Sequence, residues 1–246
     1  MKNLKPYKTT ESSVLYRVAR PAQVTQALVD SVDWPLDKRG LCFDFKSVKL
    51  YPSRPLGFKL SPKLAIRIAC YSPSRGIKVP AKPVTLAGIE VRPPKSLVEH
   101  KKITLLHDSV FLRMWRKKIS PEAVERYSAD VMKKLHKAKS LIAFRKNKPV
   151  GLFSHMPHKG VSGKTYDAVF SWTLFPGLTP VERRSASYQC ALWLKKTARR
   201  QVSVSLGLFE KDAIKFFAET GFTSCRVILE RLSDIKLGAK LTKETP

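Results

Sequence analysis

Four short stretches of the 246-residue chain carry side chains that could do chemistry. In His155-Met-Pro-His158 two imidazoles stand three residues apart, and an imidazole can ligate a metal or take up a proton near neutral pH. No third ligand accompanies them, so no metal site is expected. The pair reads either as the source of a base, His155, or as two solvated histidines in a surface turn. Leu112-Arg113-Met114-Trp115-Arg116-Lys117-Lys118 sets an indole among cations. Trp115 there could stack on a nucleic-acid base while Arg113, Arg116, Lys117 and Lys118 hold phosphates, although a tryptophan on an amphipathic helix can equally belong to the core. Arg183 and Arg184 follow Thr179-Pro180-Val181-Glu182, a capping box with proline at the first helical position. Cations in a first helical turn oppose the dipole by about 0.3–1 kcal/mol each, which a bound phosphate would reverse; two solvated arginines are the other reading. Lys159-Gly-Val-Ser-Gly-Lys164 has the wrong spacing for a phosphate loop and reads as a hairpin tip.

The elements that must hold these side chains differ between the two halves. Residues 1–98 are interrupted by Pro52, Pro55, Pro62, Pro73, Pro80, Pro83, Pro93 and Pro94, with strand-like pieces at Leu41–Leu50, Leu64–Tyr71 and Val84–Val91. Only Ala22–Val32 has helical spacing there, and Arg92-Pro93-Pro94-Lys95 suits a connector. Beyond it the sequence predicts a strand at Ile103–Leu106 and a helix at Val110–Lys118. Ser120-Pro121-Glu122 then opens a second helix. Strands follow at Leu141–Arg145, Pro149–His155 and Tyr166–Phe175, then a helix from Thr179 to Arg200 and a strand at Val202–Leu208. A helix at Lys211–Thr220 stops at Gly221, and a last strand covers Ser224–Arg231. The expectation is a basic, Pro-rich, β-leaning extension over 1–98, an α/β domain over 99–235 with helices on both faces of a mixed sheet, and a polar tail over 236–246. No internal repeat is evident.

Charge sets the class of partner. There are 47 Lys and Arg against 19 Asp and Glu, a net +28. The excess is shared, with 18 basic and 6 acidic residues up to Val98 and 29 and 13 beyond. So strong a bias implies nucleic acid or another polyanion, unless the surface is simply solvated. Cys42, Cys70, Cys190 and Cys225 lie far apart among apolar residues, as free thiols in a reducing compartment would. With no apolar run near the ~20 residues of a membrane span, a cytoplasmic protein is expected.

The element order β-α-α-β-β-β-α-β-α-β, with three local stretches, resembles the GNAT superfamily of acyl-CoA-dependent N-acyltransferases. Lys148-Pro149-Val150-Gly151-Leu152-Phe153 is similar to its third strand, and Ala168–Pro176 to its fourth. Leu206–Phe222 is similar to the stretch holding an alanine, an aromatic pair and Gly-Phe, here Ala213, Phe216, Phe217, Gly221 and Phe222. The resemblance covers about 130 residues, most specifically in the last third. It implies acyl-CoA wedged between splayed strands, contacts from Leu174, Phe175, Arg183, Arg184, Ser185, Ala186, Ser187 and Phe217, and strand amides near Leu174 and Phe175 polarising the thioester carbonyl. Two departures stand out. The pyrophosphate loop, glycine-rich in the family, is Glu182-Arg183-Arg184-Ser185-Ala186-Ser187-Tyr188, without glycine. Phe217 stands where a tyrosine often protonates the thiolate, and Glu210 where an asparagine is usual. With His155, Glu210 is the remaining candidate for catalysis. The implied activity is N-acyl transfer from CoA or a related activated carrier to an amine, and the charge adds an acceptor on or near nucleic acid. The alternatives are a non-catalytic basic GNAT-fold protein binding DNA or RNA, and a phage-like nucleobase-modifying relative.

Overall fold

The structure, a computed structural model, describes residues 4–11, 13–38, 40–49, 64–72, 76–83, 88–115, 121–159, 163–207 and 210–231. The strands are β1 (Lys8–Thr9), β2 (Ser13–Arg17), β3 (Gly40–Lys49), β4 (Leu64–Ser72), β5 (Ile89–Arg92), β6 (Lys139–Arg145), β7 (Lys148–Lys159), β8 (Thr165–Leu174), β9 (Val202–Gly207) and β10 (Thr223–Arg231). The helices are α1 (Gln26–Ser31), α2 (Leu97–Trp115), α3 (Pro121–Lys134), α4 (Pro180–Thr197) and α5 (Lys211–Glu219). All ten strands join one mixed sheet, in the order β1-β2-β3-β10-β4-β9-β8-β7-β6-β5. Two clusters on the α4 and α5 side unite those helices with β6–β9, and Ile103 of α2 meets Ile142, Phe144 and Leu152 in a third.

The α/β architecture with helices on both faces is as expected. The extension over 1–98 is β-rich where it is described, but its strands do not stand apart. β4 lies between β9 and β10, and β10 lies between β3 and β4. The last strand also completes the first core, because Val227 and Leu229 pack with Val14, Tyr16, Leu41 and Phe43. Across the β3–β10 seam the Asp44 carboxylate accepts from Nε and Nη2 of Arg226 and from the Tyr7 hydroxyl. Arg231 donates to the carbonyls of Trp34, Pro35 and Lys38 while its guanidinium lies 4.0 Å over the Trp34 ring.

Local expectations fare well where the signal is a cap. Thr179 accepts from the Glu182 amide at 3.2 Å and the Glu182 carboxylate accepts from the Thr179 amide at 2.7 Å, closing the capping box. Gly221 ends α5 at φ +89°, the left-handed region that glycine enters without strain. The expected strand at Ile103–Leu106 is instead the middle of α2, one 19-residue helix. Of Val84–Val91 the strand starts only at Ile89, with 84–87 outside the described residues. The expected hairpin tip at Lys159–Lys164 lies partly outside them too, at 160–162.

His155 and His158 sit within β7 rather than in a turn. His155 is 2% exposed, bonded through Nε2 to Thr197 Oγ1 at 2.9 Å, with its ring 5.2 Å from Trp193. Its register partner is Val169, at the zipped end of β8, so it does not reach the open end described below. Burial, slightly opposed by Asp167, lowers its pKa to about 4.

Two outcomes follow from this packing. A fragment beginning at residue 99 leaves β10 without either neighbour, and we expect it to show no cooperative thermal transition; a soluble fragment melting like the full chain would refute the interlock. For His155, the unfolded chain binds more protons than the folded one between about pH 6.5 and pH 4, so stability is lost as pH falls through that window. The slope approaches about 1.4 kcal/mol per pH unit, with buried His100 adding in the same direction. His155→Gln keeps a partner for Thr197 and should flatten this limb when urea midpoints at pH 7 and 4.5 are compared.

Candidate active site

β8 and β9 run parallel but pair only at Asp167↔Val202, Ala168↔Ser203 and Val169↔Val204. Beyond that no pairing joins the described residues of the two strands. The departure point has a local cause. Phe170 is an extra residue in β8, since His155 pairs with Val169 and Ser154 with Ser171, and such a bulge bends a strand and ends a ladder. Past it, Trp172 turns to the helix face, where its ring lies 4.3 Å from Phe216, 5.1 Å from Phe217 and 4.7 Å from Phe153. The gap is therefore floored by an aromatic cluster.

The edge of β8 in the gap can be read from its register. The Phe175 amide donates to the Val150 carbonyl at 2.8 Å, so it is spent on β7. Leu174, one residue earlier, turns its N–H and C=O the other way, into the gap. Of the two expected amides, that of Leu174 faces the gap and that of Phe175 does not. Gly151 lets β7 approach here, as an added Cβ would stand 3.0 Å from both the Thr173 carbonyl and the Leu174 side chain.

On the opposite face α2 brings up a chain of polar groups. Arg92 at the end of β5 grips the Glu99 carboxylate at 2.8 and 3.0 Å and lies 4.2 Å over the Phe144 ring, anchoring the start of α2. That pairing, with the Lys95 amide, holds Glu99 down at about 2. His100, Thr104, His107 and Phe111 then share one helical face. His100 bonds Ser140 at 2.6 Å, which bonds Ser154 at 2.7 Å. Two turns further on, His107 reaches β8 with Nε2 3.0 Å from Thr173 Oγ1, and Nδ1 lies 2.9 Å from Asp108 Oδ1. Ser128 of α3 donates to the other Asp108 oxygen at 2.5 Å. A carboxylate only accepts, so Nδ1 carries the hydrogen, and whenever the ring is neutral Nε2 is left to accept from the Thr173 hydroxyl. Hydroxyl, imidazole and carboxylate thus stand in the order that activates a proton acceptor. His107 is 4% exposed, with Phe111 stacked at 5.9 Å and Phe175 at 6.5 Å.

This constellation was missed in the sequence because a strand was expected at Ile103–Leu106. Had 97–115 been taken as one helix, two histidines would have fallen on its apolar face.

The other expected residues disperse. Ser185 and Ala186 are fully buried on the inner face of α4, and Phe217 is fully buried between Trp172 and Phe222, so none is open to a cofactor. Ser187 is half-buried. Arg183 is held by Asp212 at 3.4 Å and by the Leu178 carbonyl, while Arg184 is exposed. Glu210 accepts from the Gly207 amide at 2.6 Å, which makes it a turn-holding carboxylate between β9 and α5. Arg113 is exposed at the end of α2; the Trp115 side chain and Arg116, Lys117 and Lys118 lie outside the described residues.

The start of α4 does not fit a diphosphate. Pro180 has no N–H, the Glu182 amide serves Thr179 and the Arg183 amide serves the Thr179 carbonyl. The Glu182 carboxylate sits at the helix end itself, 3.5 Å from Arg145. The gap beside Leu174 is open to an extended ligand, whereas the helix end does not suit a diphosphate. Among the described residues no group of His, Cys, Asp and Glu could hold a metal, and no helix is long and apolar enough to cross a membrane.

No protein-family model and no curated protein matches the sequence. Solved structures do resemble it. A Staphylococcus epidermidis protein of unknown function shares 9% identity over 94% of this chain and 95% of its own, with a TM-score of 0.44. A GCN5-related N-acetyltransferase from Anabaena variabilis shares 11% identity, covering 90% of this chain and 56% of that one, with a TM-score of 0.42. The PaiA N-acetyltransferase of Thermoplasma acidophilum, solved with coenzyme A, shares 13% over 58% of this chain and 98% of its own, with a TM-score of 0.41. The strand order, the parting of β8 from β9 and the placement of helices on both faces agree with the mixed α/β sheet that the sequence leads one to expect.

Proposed function

We propose that the protein is a GNAT-like N-acyltransferase that moves an acyl group from a thioester to an amine. The observation that carries this reading is the parting of β8 from β9 beside the Thr173–His107–Asp108 chain. A thioester arm entering the gap meets the Leu174 amide, which donates to the carbonyl oxygen as it gains charge in attack. The amine nitrogen forms the new C–N bond and the C–S bond breaks. The amine proton passes to Thr173 Oγ1 as that hydroxyl gives its own to His107 Nε2, and Asp108 steadies the imidazolium. The thiolate leaves with a solvent proton, because Phe217 offers none.

A second reading is a basic protein of the same fold that binds nucleic acid without catalysis. The +28 charge and the closed start of α4 favour it. On the first reading the same charge supports an acceptor carried on nucleic acid.

Thiol release from S-acetylpantetheine and acetyl-CoA, followed against a panel of amines that includes nucleobase amines and lysyl peptides, tests the proposal. Amine-dependent release should fall about 100-fold in His107→Ala, a loss in the range of general-base removal. It should fall less in Thr173→Val, where a water can replace the relay. Release that ignores the amine, or that survives intact in His107→Ala, would end the enzymatic assignment in favour of the second reading. Gly151→Ala should push the Thr173–Leu174 segment out of place, lowering turnover together with a stability loss of about 1–3 kcal/mol, read by thermal melting.

A further inference from the structure

We infer that the acyl donor is a thioester on the phosphopantetheine arm of an acidic carrier protein, and that the nucleotide of coenzyme A contributes nothing to binding. This rests on the acyltransferase reading above. Three observations converge at one end of the sheet. The gap offers an arm-length edge of β8, where the Trp172 and Leu174 peptide groups can pair with the two amides of a pantetheine. The helix end beside it, where a diphosphate would sit, is filled by Pro180 and the Glu182 carboxylate. Around the opening stand exposed cations from three elements: Lys146 and Lys148 at the β6–β7 turn, Arg184 on α4 and Lys211 on α5.

The carboxylates at this end do not cancel that rim. Glu182 is paired with Arg145, Asp212 with Arg183 and Glu219 with Lys215, and Glu210, bonded to the neutral Gly207 amide, keeps its charge but is outnumbered by the four exposed cations. The cations are spread around the opening rather than focused on one point, which suits a protein surface carrying many carboxylates. In the transfer step the amine nitrogen bonds the acyl carbon and the C–S bond breaks. The thiol stays on the carrier's arm, and the amine proton goes to His107 through Thr173.

The test is a set of binding titrations on the full chain at two salt concentrations. The probes are an acetyl-loaded acidic acyl carrier protein, the same carrier without its arm, acetyl-CoA, S-acetylpantetheine and a DNA duplex. The loaded carrier should bind at least 10-fold more tightly than acetyl-CoA or the armless carrier, and acetyl-CoA no more tightly than S-acetylpantetheine. Charge reversal in Lys146→Glu with Arg184→Glu and Lys211→Glu should weaken the loaded carrier about 10-fold and leave S-acetylpantetheine alone, a comparison that also reports whether the variant is folded. Acetyl-CoA binding 10-fold more tightly than S-acetylpantetheine would overturn the inference while leaving acyl transfer standing. An armless carrier binding as well as the loaded one, or a duplex displacing it, would also overturn it. If no thioester binds in any form, the acyltransferase reading itself fails.

Discussion

The structure turns on a ladder that stops. Parallel strands in an α/β sheet ordinarily keep their hydrogen bonds along their shared length, because an unpaired peptide group out of water costs about 1–3 kcal/mol. Here β8 and β9 separate after three residue pairs. The extra residue Phe170 breaks the alternation, and Trp172 then stacks on Phe216 of α5, so aromatic packing stands where further pairing would be. The Leu174 peptide group then faces the gap. Without the parting, the Leu174 amide would face a neighbouring carbonyl and the polar chain on α2 would address a closed sheet.

That opening needs a stiff frame on both sides, and the chain supplies one by interlocking its ends. β9 is held on its far side by β4, a strand from the N-terminal half, and β10 is held between β3 and β4. Neither half buries its apolar strands alone: Val227 and Leu229 lie in a core otherwise built from residues before position 46. The Asp44–Arg226 pair crosses the same seam. Because one partner of a half-buried ion pair is costly to leave alone, it reinforces the register that hydrophobic burial selects.

Much of this was legible wherever a signal was local. Thr179, Pro180 and Glu182 announce the start of α4 through donors they satisfy or lack, and Gly221 announces the end of α5 through a backbone angle. Ala213, Phe216 and Phe217 recur at i, i+3 and i+4 and are buried together on the inner face of α5. The illegible parts are those in which distant residues meet. Nothing in Leu64–Ser72 says that it inserts between β9 and β10, since every central strand looks alike in one sequence. His107 was hidden by the β-branched and leucine-rich run Ile103–Leu106, which suits a strand as well as a helix until His100, Thr104 and Phe111 are placed on the same face. His155 misled for the converse reason: a histidine between two strands is conspicuous in sequence, and burial beside Trp193 makes it a core residue.

The start of α4 separates this chain from a nucleotide-binding design on electrostatic grounds. A helix end that attracts phosphate does so with free N–H groups and an uncompensated dipole. In this chain the Glu182 carboxylate already supplies the compensating negative charge and takes the Thr179 amide, so α4 is stable without a ligand. A diphosphate placed there would face a like charge at contact distance. The attraction that remains is diffuse, carried by lysines and Arg184 around the opening. Each acts over a Debye length of about 8 Å at physiological salt. A small anion feels one or two of these cations. A folded acidic partner of the kind we infer would cover several at once.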